Sequence, residues 1–269
     1  MISNTTMATA LLFCLTISGH RSHTHQDTTT SHSRSTRPSP FRDSSPPAQS
    51  SQHSPSRDTT WHTPSAQRSP FRDTTWHPLF NGKDLSGWTH VGPGGMSVDN
   101  GLIRGHGGMG LLYYKGHPFS NCTFRIIYRM KDTNDNSGVF IRIPVEPREE
   151  WMPVHYGYEV QIDNHPETSG EDDYHITGTL YSMTRPLAKP SRPGPEWNTM
   201  EITLDGPRTI VTVNGIKVTD YTEGAPVPPR KFDFEPLRGR RPDTGYFGIQ
   251  NHSDKDIVFF KEISVRYAK

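Results

Sequence analysis

Glu159, Gln161 and Asp163 stand at alternate positions in "YGYEVQID" (156–163), with Val160 and Ile162 between them. In an extended strand successive side chains point to opposite faces, so this spacing sets carboxylate, amide and carboxylate in one line and the two aliphatic residues behind it. Two more runs share the pattern. "NSGVFIRI" alternates Val139, Ile141 and Ile143 with Gly138, Phe140 and Arg142, and "FGIQNH" sets Gln250 and His252 opposite Ile249. If the three strands adjoin, one face of their sheet carries Arg, Glu, Gln, Asp and His among aromatic rings. Sugars need such a face, because their hydroxyls want planar donors and acceptors while their C–H faces stack on rings. A merely solvated strand would show the same alternation, and only the coincidence of three such strands favours a site.

The elements that must carry these residues begin near residue 76. From there, short apolar or alternating runs ("GLIRG", "GLLYY", "CTFRIIYRM", "SGVFIRI", "YEVQID", "TGTLYSM", "NTMEITLDG", "TIVTVNGIKVTDY", "GYFGIQN", "IVFFKEISVRY") are separated by Gly, Pro, Asn and Asp clusters. Asn214-Gly215 between two β-branched runs predicts a tight hairpin turn. No window holds a helical apolar period over three turns. Residues 76–269 are therefore expected to form an all-β sandwich or jelly roll, with the Pro-rich pieces 184–195 and 225–242 as long loops shaping a site.

The preceding segment differs in kind. Residues 21–75 hold almost no Leu, Ile or Val and are crowded with Ser, Thr, Pro, His and Arg, which predicts a disordered linker. "SPFRDSS" from Ser39, "SPSRDTTWH" from Ser54 and "SPFRDTTWH" from Ser69 repeat within it at a constant spacing, without the apolar face a solenoid needs. Residues 1–20 contain an apolar stretch from about Ala8 to Ile17, the length of a signal-peptide core and too short to span a bilayer. Export to the periplasm or the cell exterior is the expectation, with no transmembrane segment. The net charge of +1 provides no field for nucleic acid or an anionic membrane. Outside the apolar stretch Cys122 stands alone, so no intrachain disulfide is expected in the mature chain, and "NCTFRIIYRM" reads as a packed strand.

"LFNGKDLSGW" (79–88), "SVDNGLIRG" (97–105), "NSGVFIR" (136–142), "YEVQID" (158–163), "TGTLY" (177–181), "EWNTMEI" (196–202), "VNGIKV" (213–218) and "GYFGIQNH" (245–252) follow one another in an order that resembles the 3-keto-disaccharide hydrolase domain family. The resemblance implies a concanavalin A-like jelly-roll sandwich over residues 78 to about 267, and a glycoside or 3-keto-glycoside as substrate. "VFFKEISVRY" and "NHS" depart from the family's usual closing pattern. A ketone at C3 acidifies the C2 hydrogen, so a base can remove it while the C1 glycosidic oxygen leaves, and water addition then gives net hydrolysis. Such a site needs a base, a proton donor and an electrophile for the enolate.

On this reading Glu159, Asp163 and His165 are the candidate acid/base groups and Arg142 the clamp. Asn136, Gln161 and Gln250 orient hydroxyls, His252 also binds substrate, and Tyr181 and Trp197 provide stacking faces. Glu159, Asp163, His165 and the acidic run Glu171, Asp172, Asp173 and His175 offer ligands for a divalent metal, without a fixed motif spacing. Two alternatives stand beside the eliminating enzyme. One is a retaining glucanase on the same fold, disfavoured because Glu159 and Asp163 have Cα atoms about 13 Å apart on a strand where retention wants carboxyls ~5–5.5 Å apart. The other is a non-catalytic carbohydrate-binding module, which would show fewer ionisable groups.

Overall fold

The computed structural model describes residues 75–166 and 172–268. The expected signal segment, nearly all of the linker and its repeats, and Glu171 of the acidic run lie outside these residues. Two antiparallel sheets make up the domain. The larger one contains β1 (His77–Pro78), β3 (Gly95–Asp99), β4 (Leu102–His106), β6 (Cys122–Met130), β9 (Asn198–Asp205), β10 (Arg208–Val213), β11 (Ile216–Thr222) and β13 (Val258–Tyr267). Its order is β11-β10-β9-β6-β13-β4-β3, with β1 also paired to β13. The smaller sheet runs β2 (Trp88–Val91), β5 (Gly110–Tyr114), β12 (Tyr246–Asn251), β7 (Ser137–Ile143) and β8 (Tyr158–Ile162), in the order β2-β5-β12-β7-β8. The expected all-β sandwich is the fold. Among the described residues no helix is long and apolar enough to cross a membrane.

Alternation builds the core between the sheets. Phe124, Ile126 and Tyr128 of β6 and Ile263 and Val265 of β13 meet Val139 and Ile141 of β7, Val160 and Ile162 of β8, and Phe247 and Ile249 of β12, all essentially buried. The Phe124 and Phe247 rings stack with centroids 4.3 Å apart, joining the two layers. Cys122 belongs to this core, and burial pushes its thiol up to about 12, so it is a packed residue and no nucleophile at neutral pH. The hairpin between β10 and β11 forms as expected: Asn214 and Gly215 both take positive φ, as a type I′ turn requires.

Two elements differ from the sequence expectation. "TGTLYSM" is not a regular strand; positive φ at Gly178 and Ser182 breaks it. It still runs along β8, where Tyr181 N–H donates to Glu159 O (2.9 Å) and Gln161 N–H to Thr179 O (3.0 Å). The second is a helix, α1 (Trp151–Tyr156), six residues long and without a lengthy apolar period to announce it. Pro153 is tolerated there because the first-turn amides have no intrahelical partner to lose. Val154 of α1 packs on Leu111, Tyr113, Phe140 and Ile143, a second apolar cluster on the outer face of the five-stranded sheet. One part of that face is thus roofed by α1, and the polar residues occupy the remainder.

Candidate functional site

Glu159 and Gln161 project from β8 to the outer face because Tyr158, Val160 and Ile162 are taken by the core. Gly138, on the adjacent β7, makes the carboxylate's place: a Cβ there would lie 2.2 Å from Glu159 Oε1. Glu159 is 6% exposed and Gln161 1%. Gln250, from β12, is turned to the same face, and His252 follows immediately after that strand. With Asn136, just before β7, these side chains floor a cleft of about 210 Å³. Its walls are Met109, Trp151 and Val154 of α1, Phe234 of the 225–242 loop, and Tyr181.

A hydrogen-bond chain ties the floor together. Gln161 Nε2 donates to Asn136 Oδ1 (3.2 Å), and Asn136 Nδ2 donates to Asp163 Oδ2 (3.2 Å). The backbone N–H of Asn136 donates to Asp256 Oδ1 (3.0 Å), and the other carboxylate oxygen of Asp256 accepts from His252 Nδ1 (2.7 Å) and Ser253 Oγ (2.5 Å). With Nδ1 so engaged, Nε2 is the nitrogen left to the cleft. Burial alone would depress the His252 pKa. The Asp256 hydrogen bond and charge, with Glu159 and Asp163 adding theirs, carry it above the ordinary imidazole value. Asp256 itself, although burial opposes it, is held below the ordinary carboxylate value by its bonds to His252, Ser253 and Asn136 N–H. Two acceptors in this floor have no protein partner: Gln161 Oε1 and Gln250 Oε1 are buried and unbonded. A buried carbonyl oxygen without a donor is costly, and both belong to side chains that line the cleft.

The residues named from sequence divide into those the fold brings together and those it does not. Asn136, Glu159, Gln161, Tyr181, Gln250 and His252 all line the cleft. Asp163 lies behind it, 4% exposed, with Oδ2 accepting from Asn136 and Oδ1 from the His165 backbone N–H (2.8 Å), so it positions Asn136 and the turn. His165 is not in the cleft; it borders a separate depression with Asn164, Thr177 and Lys189.

Arg142 requires a correction. Its φ of 54° and the break in register between β7 and β12 form a bulge that takes it out of alternation, so that Ile143 joins Phe140 on the outer face. The guanidinium is buried, donating to Gly206 O (2.7 Å), Pro242 O (3.0 Å), Arg208 O and Thr209 Oγ1 (both 3.2 Å). It ties loops together and is not among the residues that line the cleft. Trp197 is also displaced, standing on the outer face of the eight-stranded sheet beneath Arg129 and Lys261.

Among the described residues no three His, Cys, Asp or Glu side chains converge as metal ligands. Asp173 instead pairs with Lys189 (2.6 Å), and Asp172 accepts from the Tyr174 N–H (3.0 Å). Sequence reading missed Asp256, Trp151 and Phe234. The four-residue step from His252 to Asp256 in "NHSDKD" was a readable signal for the pair, whereas nothing local marks Trp151 or Phe234 as walls.

Residues 75–266 match the 3-keto-alpha-glucoside-1,2-lyase-like domain. The chain belongs to this family. The assignment agrees with the expected family and makes the domain a carbohydrate-related one. Three crystal structures of proposed glycosyl hydrolases from Parabacteroides distasonis share the fold of this 3-keto-alpha-glucoside-1,2-lyase-like domain. The first is 22% identical with a TM-score of 0.58, over 72% of this chain and 94% of that one. The second is 23% identical with a TM-score of 0.57, over 72% and 99%. The third is 24% identical with a TM-score of 0.51, over 72% and 84%. No curated protein matches the chain.

Proposed function

We propose that this domain cleaves 3-keto-glycosides by elimination across C1 and C2, with water addition to the resulting enone giving net hydrolysis. The observation that carries the reading is the pairing of Glu159 with an Asp256-held His252 in one cleft whose floor also holds the unbonded Gln161 and Gln250 oxygens. Glu159 takes the C2 proton, which the neighbouring ketone has made acidic. The electron pair moves into the enolate, and the C1–O bond breaks as His252 Nε2–H protonates the leaving oxygen. A raised imidazole pKa suits that donor role at neutral pH. The Gln161 and Gln250 oxygens accept from ring hydroxyls, and Asn136, fixed by Asp163 and Asp256, keeps Gln161 in place.

A retaining glucanase would need two carboxylates at the scissile bond. Here Glu159 lines the cleft while Asp163 lies behind it, accepting from Asn136 and from the His165 N–H, so the two carboxylates do not flank one bond. A binding module without catalysis is the reading to separate by experiment. Incubating the protein with matched unmodified and 3-keto disaccharides and following products by NMR distinguishes them. Cleavage of the 3-keto form alone, with deuterium from solvent entering C2, is expected. Cleavage of the unmodified sugar, or of neither, rejects the elimination.

A further inference from the structure

The cleft is chemically two-sided, and the side away from the sheet is not accounted for by ring hydroxyls. Asn136, Glu159, Gln161, Gln250 and His252 belong to the floor, whereas Met109, Trp151, Val154 and Phe234 form an apolar wall. Trp151 is 41% exposed and Phe234 46%, so each ring is both wall and mouth. Large exposed aromatics gathered at a cleft are uncommon without a ligand to cover them.

These rings are held in place. Phe232 and Phe234 stack face to face, 5.1 Å between centroids at 9°, and Trp151 stacks on His155 at 6.1 Å and 26°. The loop that carries Phe234 is stapled to α1: His155 Nε2 meets Asp233 O (3.1 Å) and the Leu237 N–H donates to His155 O (3.1 Å). Arg241 spans the same junction, donating to Gly157 O (3.0 Å), His155 O (3.1 Å) and Leu237 O (2.6 Å). Arg238 adds bonds to Pro228 O (2.7 Å), Pro236 O (2.6 Å) and Ser182 O (3.1 Å). A wall fixed this way is preorganised and loses little freedom on binding.

From this we infer that the mouth is a leaving-group seat built for a planar apolar aglycone, so that aryl glycosides are preferred to disaccharides. The inference rests on the proposed elimination for which end of the substrate leaves. The sugar that reacts lies on the floor, where the acceptors and the acid/base pair are, and its C1 substituent extends to the wall. A second sugar there could stack one C–H face on Trp151 or Phe234, but its remaining hydroxyls would lie against Met109 and Val154, which neither accept nor donate. An aryl ring makes the same contact with nothing left unpaired.

The test uses the full chain carrying Glu159→Gln, so that ligand persists, and titrates phenyl and methyl glucosides of both anomers, unoxidised and 3-keto, by calorimetry. Phenyl forms should bind about tenfold tighter than methyl forms. The preference should vanish when Trp151→Ala and Phe234→Ala are added, while affinity for the methyl forms changes less than about threefold. Trp151→Phe should retain most of it, and thermal melts establish that each variant is folded. Equal affinities, a preference that survives the double substitution, or no binding by either glucoside overturns the seat. Failure of the chemistry reads out separately: if aryl discrimination holds but no 3-keto glucoside is cleaved by the unsubstituted chain, the elimination falls and the seat stands.

Discussion

Both sheets present charged, polar and aromatic residues on their outer faces, and both do so by alternation interrupted at bulges, yet the two faces treat them differently. On the eight-stranded sheet the prominent outer rings are covered by cations from neighbouring strands. Arg129 lies over Phe259 at 4.3 Å and Trp197 at 5.4 Å, Arg125 and Arg266 lie over Trp76 at 4.3 and 4.6 Å, and Arg125 donates to Glu262 (2.6 Å). On the five-stranded sheet Glu159, Gln161 and Gln250 are buried, Gln161 is bonded to Asn136, and Gln161 Oε1 and Gln250 Oε1 are left unbonded. Alternation therefore says which face a residue takes. Whether that face is a site depends on burial with hydrogen bonds unmet, which alternation does not encode. The first surface covers its outer rings with its own cations; for the second, the proposed function calls for a ligand to meet the free oxygens.

The sharpest way to break this contrast is to remove ionisable groups from the cleft. Glu159→Gln and His252→Gln each retain a hydrogen-bonding side chain but lose the proton that must move. Turnover of a 3-keto-glycoside should fall ~10²–10⁴-fold in each, with thermal stability nearly unchanged. Near-normal rates in a folded Glu159→Gln chain would reassign the base.

Arg142 gives the next largest effect, in stability rather than rate. Arg142→Ala strands the carbonyls of Gly206, Arg208 and Pro242 and empties a buried volume. A loss of about 3 kcal/mol or more is expected, read as a Tm drop of roughly 6–12 °C for a domain of this size. Below its own Tm the variant should keep turnover within a few-fold. A selective collapse of kcat with Tm intact would return Arg142 to the chemistry.

Asp256→Asn should act more finely. The carboxylate is what lifts the His252 pKa, so its loss should move the alkaline limb of kcat/KM toward lower pH. The same pair sets a stability window. His252, with its folded pKa raised, contributes below the ordinary imidazole range and loses that contribution as pH rises through the raised value. Asp256, with its pKa depressed, contributes above the ordinary carboxylate range and loses that as pH falls. Both act together only between those ranges, and the exposure of the His252 ring keeps the sum below about 1 kcal/mol. An unshifted alkaline limb in Asp256→Asn would remove His252 as the donor.

Much of this was legible in the residues. The hairpin at Asn214-Gly215, the core phase of β8 and the cleft-facing Glu159, Gln161 and Gln250 follow from local rules of pleat and turn. Arg142 was misread because one left-handed residue inverts the phase of everything after it, and no short-range pattern announced a bulge in "VFIRI". Trp151 and Phe234 were missed because their placement at one cleft depends on backbone carbonyls captured by Arg238 and Arg241, across separations of 56, 84 and 86 residues. For His252 the sequence suggests substrate binding, and the proposed donor role rests on the Asp256 carboxylate that holds its Nδ1.

The smallest effect is expected at Trp197, and it tests the other half of the contrast. "EWN" offers an aromatic next to a strand, which in sequence looks as suitable for stacking sugar as Trp151 does. In the fold its ring already has cations over it, Arg129 at 5.4 Å and Lys261 at 5.8 Å, on the sheet opposite the cleft. Exposed cation–π contacts stabilise by ~0.5–1 kcal/mol each, so Trp197→Ala should lower stability by about 1–2 kcal/mol and leave both kcat and KM for a 3-keto-glycoside within about twofold. Arg129→Gln should reproduce a part of the stability loss, and combining the two should add less than their sum, because each removes the same contact. A rise in KM with Trp197→Ala at unchanged stability would mean that glycan also binds this face, and the distinction between the two faces would have to be abandoned.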